Sequence, residues 1–289
     1  MIFDGKIYSQ LKEVKLTEEV ASLQSRGITP KLIDILADNS PESKLYAALK
    51  EKFARKIGVI FEIHHFDGSA TEEVVADIQK ANEEALVHGI MIQLPVADEE
   101  KIVAAIDPKK DVDSLTPENL GLIMGRRPRF LPATVRAVID ILKEAKKYLP
   151  ESGRLTDENK WLAGKNVVII GASIIVGKPL AVILSDAGAT VTICRSTTIN
   201  LLKFTQNADI LVSATGVMGL VKKEMVKRGA IVIDVGISKL LRDGKFRIVG
   251  DVDQNVSEKT SFLTPVPGGV GPVTVACLFE NLVESIKIS

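Results

Sequence analysis

Between Val167 and Pro179 the chain reads VVIIGASIIVGKP, an apolar run that breaks into glycines where a strand would turn into a helix. Such a turn suits a phosphate. Gly171 permits a tight turn, Gly177 lets the following helix approach the sheet, and a helix N-terminus offers unpaired N–H donors to an anion. Ser173 stands where the second glycine of a G-x-G-x-x-G fingerprint would be. A strand–helix turn that binds nothing could use the same residues, and this pattern by itself leaves both readings open. The next strand, Thr190–Cys194, runs into Arg195-Ser196-Thr197 without an acidic residue. In a dinucleotide fold that strand end faces the adenosine ribose. An acid there accepts a ribose hydroxyl, whereas an arginine with two hydroxyls suits an extra phosphate and so favours NADP over NAD. The alternative is an ordinary solvated arginine.

These residues need a scaffold, and the periodicity of the chain supplies one. Gly5–Ser25 has apolar residues at helical spacing and ends at Gly27, with Pro30 beyond it. A strand over Lys31–Ala37, a turn over Asp38–Ser43, a helix over Lys44–Ile57 and a strand over Val59–Phe66 follow. A helix over Ala70–Glu84 and a strand over Gly89–Leu94 complete a β-α-β-α-β series, which implies a largely parallel sheet covered by helices. Tyr148–Trp161 is polar and rich in turn formers, and reads as an interdomain linker. Beyond it come strands over Lys165–Ile170, Thr190–Cys194, Asp209–Ala214 and Ala230–Val235, a helix over Gly177–Ala187 and a short strand over Phe246–Val249. Pro272–Ile288 reads as an amphipathic helix. The fold class is α/β in two domains.

Composition narrows the function. The chain has 289 residues, with 37 Lys plus Arg against 37 Asp plus Glu, so there is no basic surplus to hold nucleic acid in bulk. Aromatic residues are 4%, too few for stacking platforms. No apolar run approaches the roughly 20 residues of a membrane span. The start, MIFDGKIYSQLKE, is polar, unlike a secretory signal. Cys194 and Cys277 have no metal-type spacing, so no metal site is expected and a reducing, cytoplasmic setting fits.

Several motifs then occur in order: G-x-S-x-I-V-G-K-P (Gly171–Pro179), TVTICRSTT (Thr190–Thr198), VIDVGI (Val232–Ile237) and TPVPGGVGPVT (Thr264–Thr274). Ahead of them stand S-x-x-Y-x-x-x-K (Ser43, Tyr46, Lys50), GIMIQLP (Gly89–Pro95) and KDVDS (Lys110–Ser114). Together they resemble the bifunctional methylenetetrahydrofolate dehydrogenase/methenyltetrahydrofolate cyclohydrolase family nearly end to end. The resemblance implies a folate-binding catalytic domain, residues 1–145 with 268–289, and a Rossmann-like NADP domain, residues 146–267, with a cleft between them. It also implies a homodimer. The implied chemistry is transfer of a hydride from 5,10-methylenetetrahydrofolate to NADP, then hydrolysis of the 5,10-methenyl product to 10-formyltetrahydrofolate.

The hydride step mainly needs alignment, because two nitrogens stabilise the cation that forms. Hydrolysis needs a group that loses and regains a proton, and the resemblance points to Lys50. A lysine serves as a base near neutral pH only if burial or a nearby positive charge makes its proton easier to lose; the methenyl substrate carries such a charge. Tyr46 lies one helical turn earlier and would pack along the folate ring. Gln93 would position Lys50, and Asp113 would accept hydrogen bonds from the amino edge of the pterin. Leu94, Pro95, Pro267, Gly268, Gly269 and Val270 complete the implied substrate site, the glycines letting backbone come close. The implied cofactor site takes Gly171, Ala172, Ser173, Ile174, Val176 and Gly177 from the first turn. Arg195, Ser196 and Thr197 follow the next strand; Thr215, Gly216, Gly236 and Ile237 lie on later loops. Each residue also has a structural reading: Tyr46 and Lys50 on a solvated helix face, Gln93 satisfying a strand end, Asp113 as a cap, the two glycines as a turn. His64, His65 and His88 match no motif and read as structural. The chain departs from the family at Ala172, commonly arginine, at Arg195, often histidine, and at Ser114, often glycine. Pro132–Ala137 replaces P-C-T-P-x-G. Weaker readings are a dehydrogenase with little cyclohydrolase activity, a silent folate- or nucleotide-binding protein, and another two-domain dehydrogenase.

Overall fold

The computed structural model describes residues 1–38, 41–68, 70–149, 160–242 and 245–288. The elements begin with α1 (Gly5–Ser25), β1 (Lys31–Leu36), α2 (Pro41–Ile57), β2 (Ile60–His65), α3 (Thr71–Glu83) and β3 (Gly89–Ile92). Next are α4 (Glu99–Ala104), α5 (Pro117–Met124), α6 (Ala133–Ala145), β4 (Asn166–Ile170), α7 (Gly177–Asp186) and β5 (Thr190–Cys194). The chain continues through α8 (Leu201–Thr205), β6 (Ile210–Ser213), β7 (Ile231–Asp234), β8 (Ser238–Arg242), β9 (Lys245–Val249), β10 (Phe262–Leu263) and α9 (Val270–Ile288).

The chain divides into two compact units, Ser9–Ala133 with Val275–Ser289, and Met1–Tyr8 with Thr134–Thr274. The sequence reading puts the boundaries at 145 and 268 and keeps the N-terminus with the folate domain. By contact the first residues group with the second unit, to which they bond through backbone: Phe3 N–H donates to the Leu263 carbonyl at 2.9 Å, and Phe3 packs on Phe262 with ring centroids 5.6 Å apart. Most of the expected linker, residues 150–159, lies outside the described residues.

The first unit holds a three-strand parallel sheet in the order β2-β1-β3. β1 is the central strand, and Leu32 through Leu36 are all buried, as expected for a strand covered on both faces. On one side Leu32 and Met91 pack with Phe53, Ala54 and Ile57 of α2, Leu16, Val20 and Leu23 of α1, and Leu278, Phe279, Leu282 and Val283 of α9. Phe53 and Phe279 stack with centroids 5.3 Å apart. Asn281 of α9 is fully buried, and its amide donates to the Val112 and Leu131 carbonyls at 2.7 and 2.8 Å. Helices α4 and α5 were not anticipated, although α5 carries a legible start: Thr116 as cap and Pro117 in its first turn.

The second unit holds a five-strand parallel sheet in the order β10-β7-β6-β4-β5. Chain order reverses beside β4, because β5 lies on one flank and β6 on the other. In open α/β sheets a ligand crevice forms at such a reversal, at the carboxyl ends of the strands. β8 and β9 form a separate antiparallel hairpin, of which only the second strand was expected. No helix among the described residues is long and apolar enough to cross a membrane.

Candidate active site

Lys50 belongs to the inward face of α2. Ser43, Ala47, Lys50, Ala54 and Ile57 are all buried and follow one another at spacings of three and four, the stripe a helix turns toward its sheet. Lys50 is only 5% exposed, so the solvated-face reading falls. Its amine lies 3.0 Å from Gln93 Oε1, 3.3 Å from Met91 Sδ and 2.8 Å from Asp34 Oδ2. Gln93 is delivered by the end of β3, where its N–H donates to the Ile35 carbonyl at 2.9 Å. Asp34 is in the middle of β1, paired in register with Met91 of β3, and fully buried. Burial pushes its carboxyl above the ordinary range, against the pull of the Lys50 charge. Tyr46 is half-buried one turn before Lys50, and burial likewise raises its phenol. Leu94 and Pro95 follow Gln93 directly, Leu94 half-buried and Pro95 exposed.

Sequence reasoning missed Asp34 and Met91. The signal for Asp34 was present: a lone acid in KLIDIL, a run otherwise fit for burial on both faces, demands a charged partner.

The two acids of KDVDS part company. Asp111 is fully engaged in the fold, accepting from Leu115 N–H at 3.1 Å, Thr116 N–H at 2.8 Å and the Asn119 amide at 2.9 Å. Asp113 accepts only the Ala133 N–H among these backbone donors, at 2.9 Å, so it does cap the start of α6. Its pKa rises to about 6, chiefly through desolvation; Ala133 N–H and Lys50 oppose the rise, and Asp111 and Asp34 add to it. Ser114 occupies a left-handed conformation, φ 57°, which accounts for a glycine at this position in the family. Here the serine is held by a 3.0 Å hydrogen bond from its hydroxyl to the Phe130 carbonyl.

In the second unit Gly171 follows β4 with φ 116°, and a Cβ there would stand 2.3 Å from the Ala214 carbonyl oxygen. A Cβ on Gly177, the first residue of α7, would stand 2.0 Å from the Gly171 oxygen. The turn is therefore closed on itself at glycine-only spacing. Ser173 holds it by accepting from Val176 N–H at 3.1 Å, with Ala172 and Ile174 on either side of the serine. Arg195, Ser196 and Thr197 are exposed beyond β5, the Arg195 N–H donating to Thr198 Oγ1 at 2.9 Å. Thr215 and Gly236 are joined through Asp251, a residue the sequence reading did not single out. Thr215 donates to Asp251 Oδ2 from both N–H and hydroxyl at 2.8 Å, as does Ser213 from its hydroxyl. A Cβ on Gly236 would lie 1.9 Å from Asp251 Oδ1. Gly216 and Ile237 are exposed next to them. Asp234, at the end of β7, accepts from the Asp251 and Val252 N–H groups at 3.1 and 3.0 Å, and burial raises its pKa to about 7.

Gly268 and Gly269 have a local use. The Gly268 carbonyl accepts from Gly5 N–H at 2.9 Å, and a Cβ on Gly5 would meet the Gly269 oxygen at 1.8 Å. The close backbone approach made here is to the chain's own N-terminal segment. Pro267 is exposed and Val270 buried.

Comparison with known proteins gives a consistent picture. Residues 3–113 match the model for the tetrahydrofolate dehydrogenase/cyclohydrolase catalytic domain, and residues 132–289 match that for the NAD(P)-binding domain. The "Bifunctional protein FolD" of Lactobacillus acidophilus is 44% identical over 288 residues, covering 98% of this chain and 96% of its own. The crystal structure of the bifunctional methylenetetrahydrofolate dehydrogenase/cyclohydrolase of Campylobacter jejuni superposes with a TM-score of 0.90 at 40% identity, covering 100% of this chain and 99% of that one. The corresponding Trypanosoma brucei structure, complexed with NADP cofactor and inhibitor, also reaches 0.90 at 35% identity, covering 100% and 97%. With both domain models matched in order and relatives aligned over nearly their full length, the chain belongs to the tetrahydrofolate dehydrogenase/cyclohydrolase family.

Proposed function

We propose that the chain carries out both reactions of its family: NADP-dependent oxidation of 5,10-methylenetetrahydrofolate to the 5,10-methenyl form, and hydrolysis of that product to 10-formyltetrahydrofolate. The observation that carries the acid–base assignment is the buried Lys50 amine, fixed between Gln93 and Asp34. A lysine on the inward stripe of α2 displaces an apolar residue and costs desolvation, which a purely structural role does not repay. In hydrolysis a proton must leave the attacking water and one must reach the departing ring nitrogen. Lys50 handles that traffic, and Gln93 holds the amine in place through its side-chain oxygen. Tyr46 lies along the folate ring. Asp113, with its pKa near 6, stays largely ionised at neutral pH and accepts the amino edge of the pterin. Leu94, Pro95, Pro267, Gly268, Gly269 and Val270 belong to the same reading of the substrate site.

The residues of the second unit fit NADP. The glycine-only closure at Gly171 and Gly177, ahead of the ten-residue helix α7 and beside the reversal in strand order, is a cradle for a pyrophosphate. When bound, NADP supplies the hydride acceptor. Ala172, Ser173, Ile174 and Val176 line the turn. Arg195 with Ser196 and Thr197 reads the extra phosphate in the absence of an acid after β5. Thr215, Gly216, Gly236 and Ile237 flank the nicotinamide end. A homodimer in a reducing, cytoplasmic setting completes the reading; both cysteines are buried and neither is in a disulfide.

The test is Lys50→Met, assayed separately for NADP reduction with methylenetetrahydrofolate and for loss of the methenyl chromophore. Hydrolysis at neutral pH should fall by at least about a hundredfold while folate still binds. Hydrolysis at the wild-type rate would remove Lys50 from the mechanism.

A further inference from the structure

Asp34 is an acid with no structural reason to be where it is. It stands mid-way along the central strand of its sheet, fully buried, between Ile33 and Ile35 on the opposite face and with Leu32 and Leu36 on its own. A buried ion pair seldom stabilises a fold better than apolar residues of the same shape, because removing two charges from water costs about as much as their attraction returns. The pair Asp34–Lys50 thus asks for a use. Its geometry suggests one. The Lys50 ammonium has three N–H groups and three neighbours: Asp34 Oδ2, Gln93 Oε1 and Met91 Sδ. Two of these are carried on adjacent strands in direct register, Asp34 opposite Met91. The thioether is the weakest acceptor of the three, so the amine's freest direction is away from Asp34 and Gln93.

Resting on the role given to Lys50 above, we propose that Asp34 is a positioning residue for the hydrolytic reaction: it clamps the Lys50 amine beside Gln93 and balances its charge. The charged and titratable groups around that amine are Asp34 from β1, His65 at the end of β2, which acts on Asp34, and Asp113 with its neighbour Asp111 from the loop after α4; Tyr46 shares α2. Of these, Asp34 alone pairs with the amine directly, at 2.8 Å. Neither of its buried oxygens accepts a well-directed hydrogen bond among the described residues, and Oδ2 meets the amine as a 2.8 Å ion pair, so the carboxylate is held there for its charge on Lys50 and not to satisfy backbone.

The experiment compares wild type with Asp34→Asn in hydrolysis of the methenyl substrate from pH 6 to 9, after subtraction of the uncatalysed rate, with Asp34→Thr as a second variant suited to a strand. Without its counter-ion the amine is less well placed and gives up its proton more readily. kcat should therefore fall about tenfold with KM changed less than about threefold, and the acid limb of the kcat profile should move about one pH unit lower. Asp34→Glu should return the limb toward its wild-type position. An unchanged rate and limb would overturn the proposal. So would a lower kcat with the limb unmoved, or failure of both variants to fold, since either makes Asp34 merely structural. Lys50→Met separates the two readings. If it hydrolyses normally, the assignment of Lys50 itself fails; if it is inactive while Asp34→Asn matches wild type, only the clamp fails.

Discussion

Asp113→Asn should make the protein more stable and less active, and the gain in stability should depend on pH. The Asp113 pKa rises from its ordinary 3.8 to about 6, mainly because desolvation disfavours the carboxylate. An acid whose proton is bound more tightly in the folded state stabilises the fold below its unfolded pKa, and that stability is lost as pH rises through the folded one. At about 1.4 kcal/mol per tenfold change in proton affinity, the full penalty of the charged group is about 3 kcal/mol. It is about 1 kcal/mol at pH 4.5 and approaches the full value by pH 8. Asparagine removes the charge, keeps the shape and leaves an oxygen to accept the Ala133 N–H now bound at 2.9 Å. Urea unfolding at the two pH values should show the variant gaining by those two amounts, a rise of roughly 5–10 °C in melting temperature at pH 8. Folate affinity should fall in parallel, because the neutral amide loses the charge-assisted bonds to the pterin. A stability difference that is flat with pH, or a variant less stable than wild type at pH 8, would refute the reasoning, because burial would then not be what raises Asp113.

Three further outcomes follow from particular contacts. Gly177→Ala places a methyl 2.0 Å from the Gly171 oxygen, so the turn before α7 must open; NADP affinity by fluorescence should drop at least about tenfold while the folate unit still binds its ligand. Arg195→Ala should weaken NADP more than NAD in steady-state kinetics, and equal weakening would mean the arginine does not read the phosphate. Asn281→Leu leaves the Val112 and Leu131 carbonyls buried without their donor and should cost about 2–5 kcal/mol in chemical denaturation; a loss under about 0.5 kcal/mol would show that water or a shift of α9 replaces the amide.

The sequence determined the succession of strands and helices, because hydrophobic period and turn chemistry are local. Gly27 and Pro30 end α1 as read, and Thr190–Cys194 is a strand to the residue. It also determined the motif positions: Gly171 and Gly177 announce a turn that only glycine can close, and the ordered set from Tyr46 to Val270 identifies the family. Tertiary structure alone decided which face of α2 turns inward, and so that Lys50 is buried and not solvated. It alone brought Asp34 and Met91, 16 and 41 positions distant, up to that amine, since strand register is set by pairing across the sheet and leaves no mark in either strand. The same holds for the two acids of KDVDS. They are alike in the sequence, and they differ only because Asp111 is surrounded by donors from the start of α5 while Asp113 is left desolvated with a single cap to make.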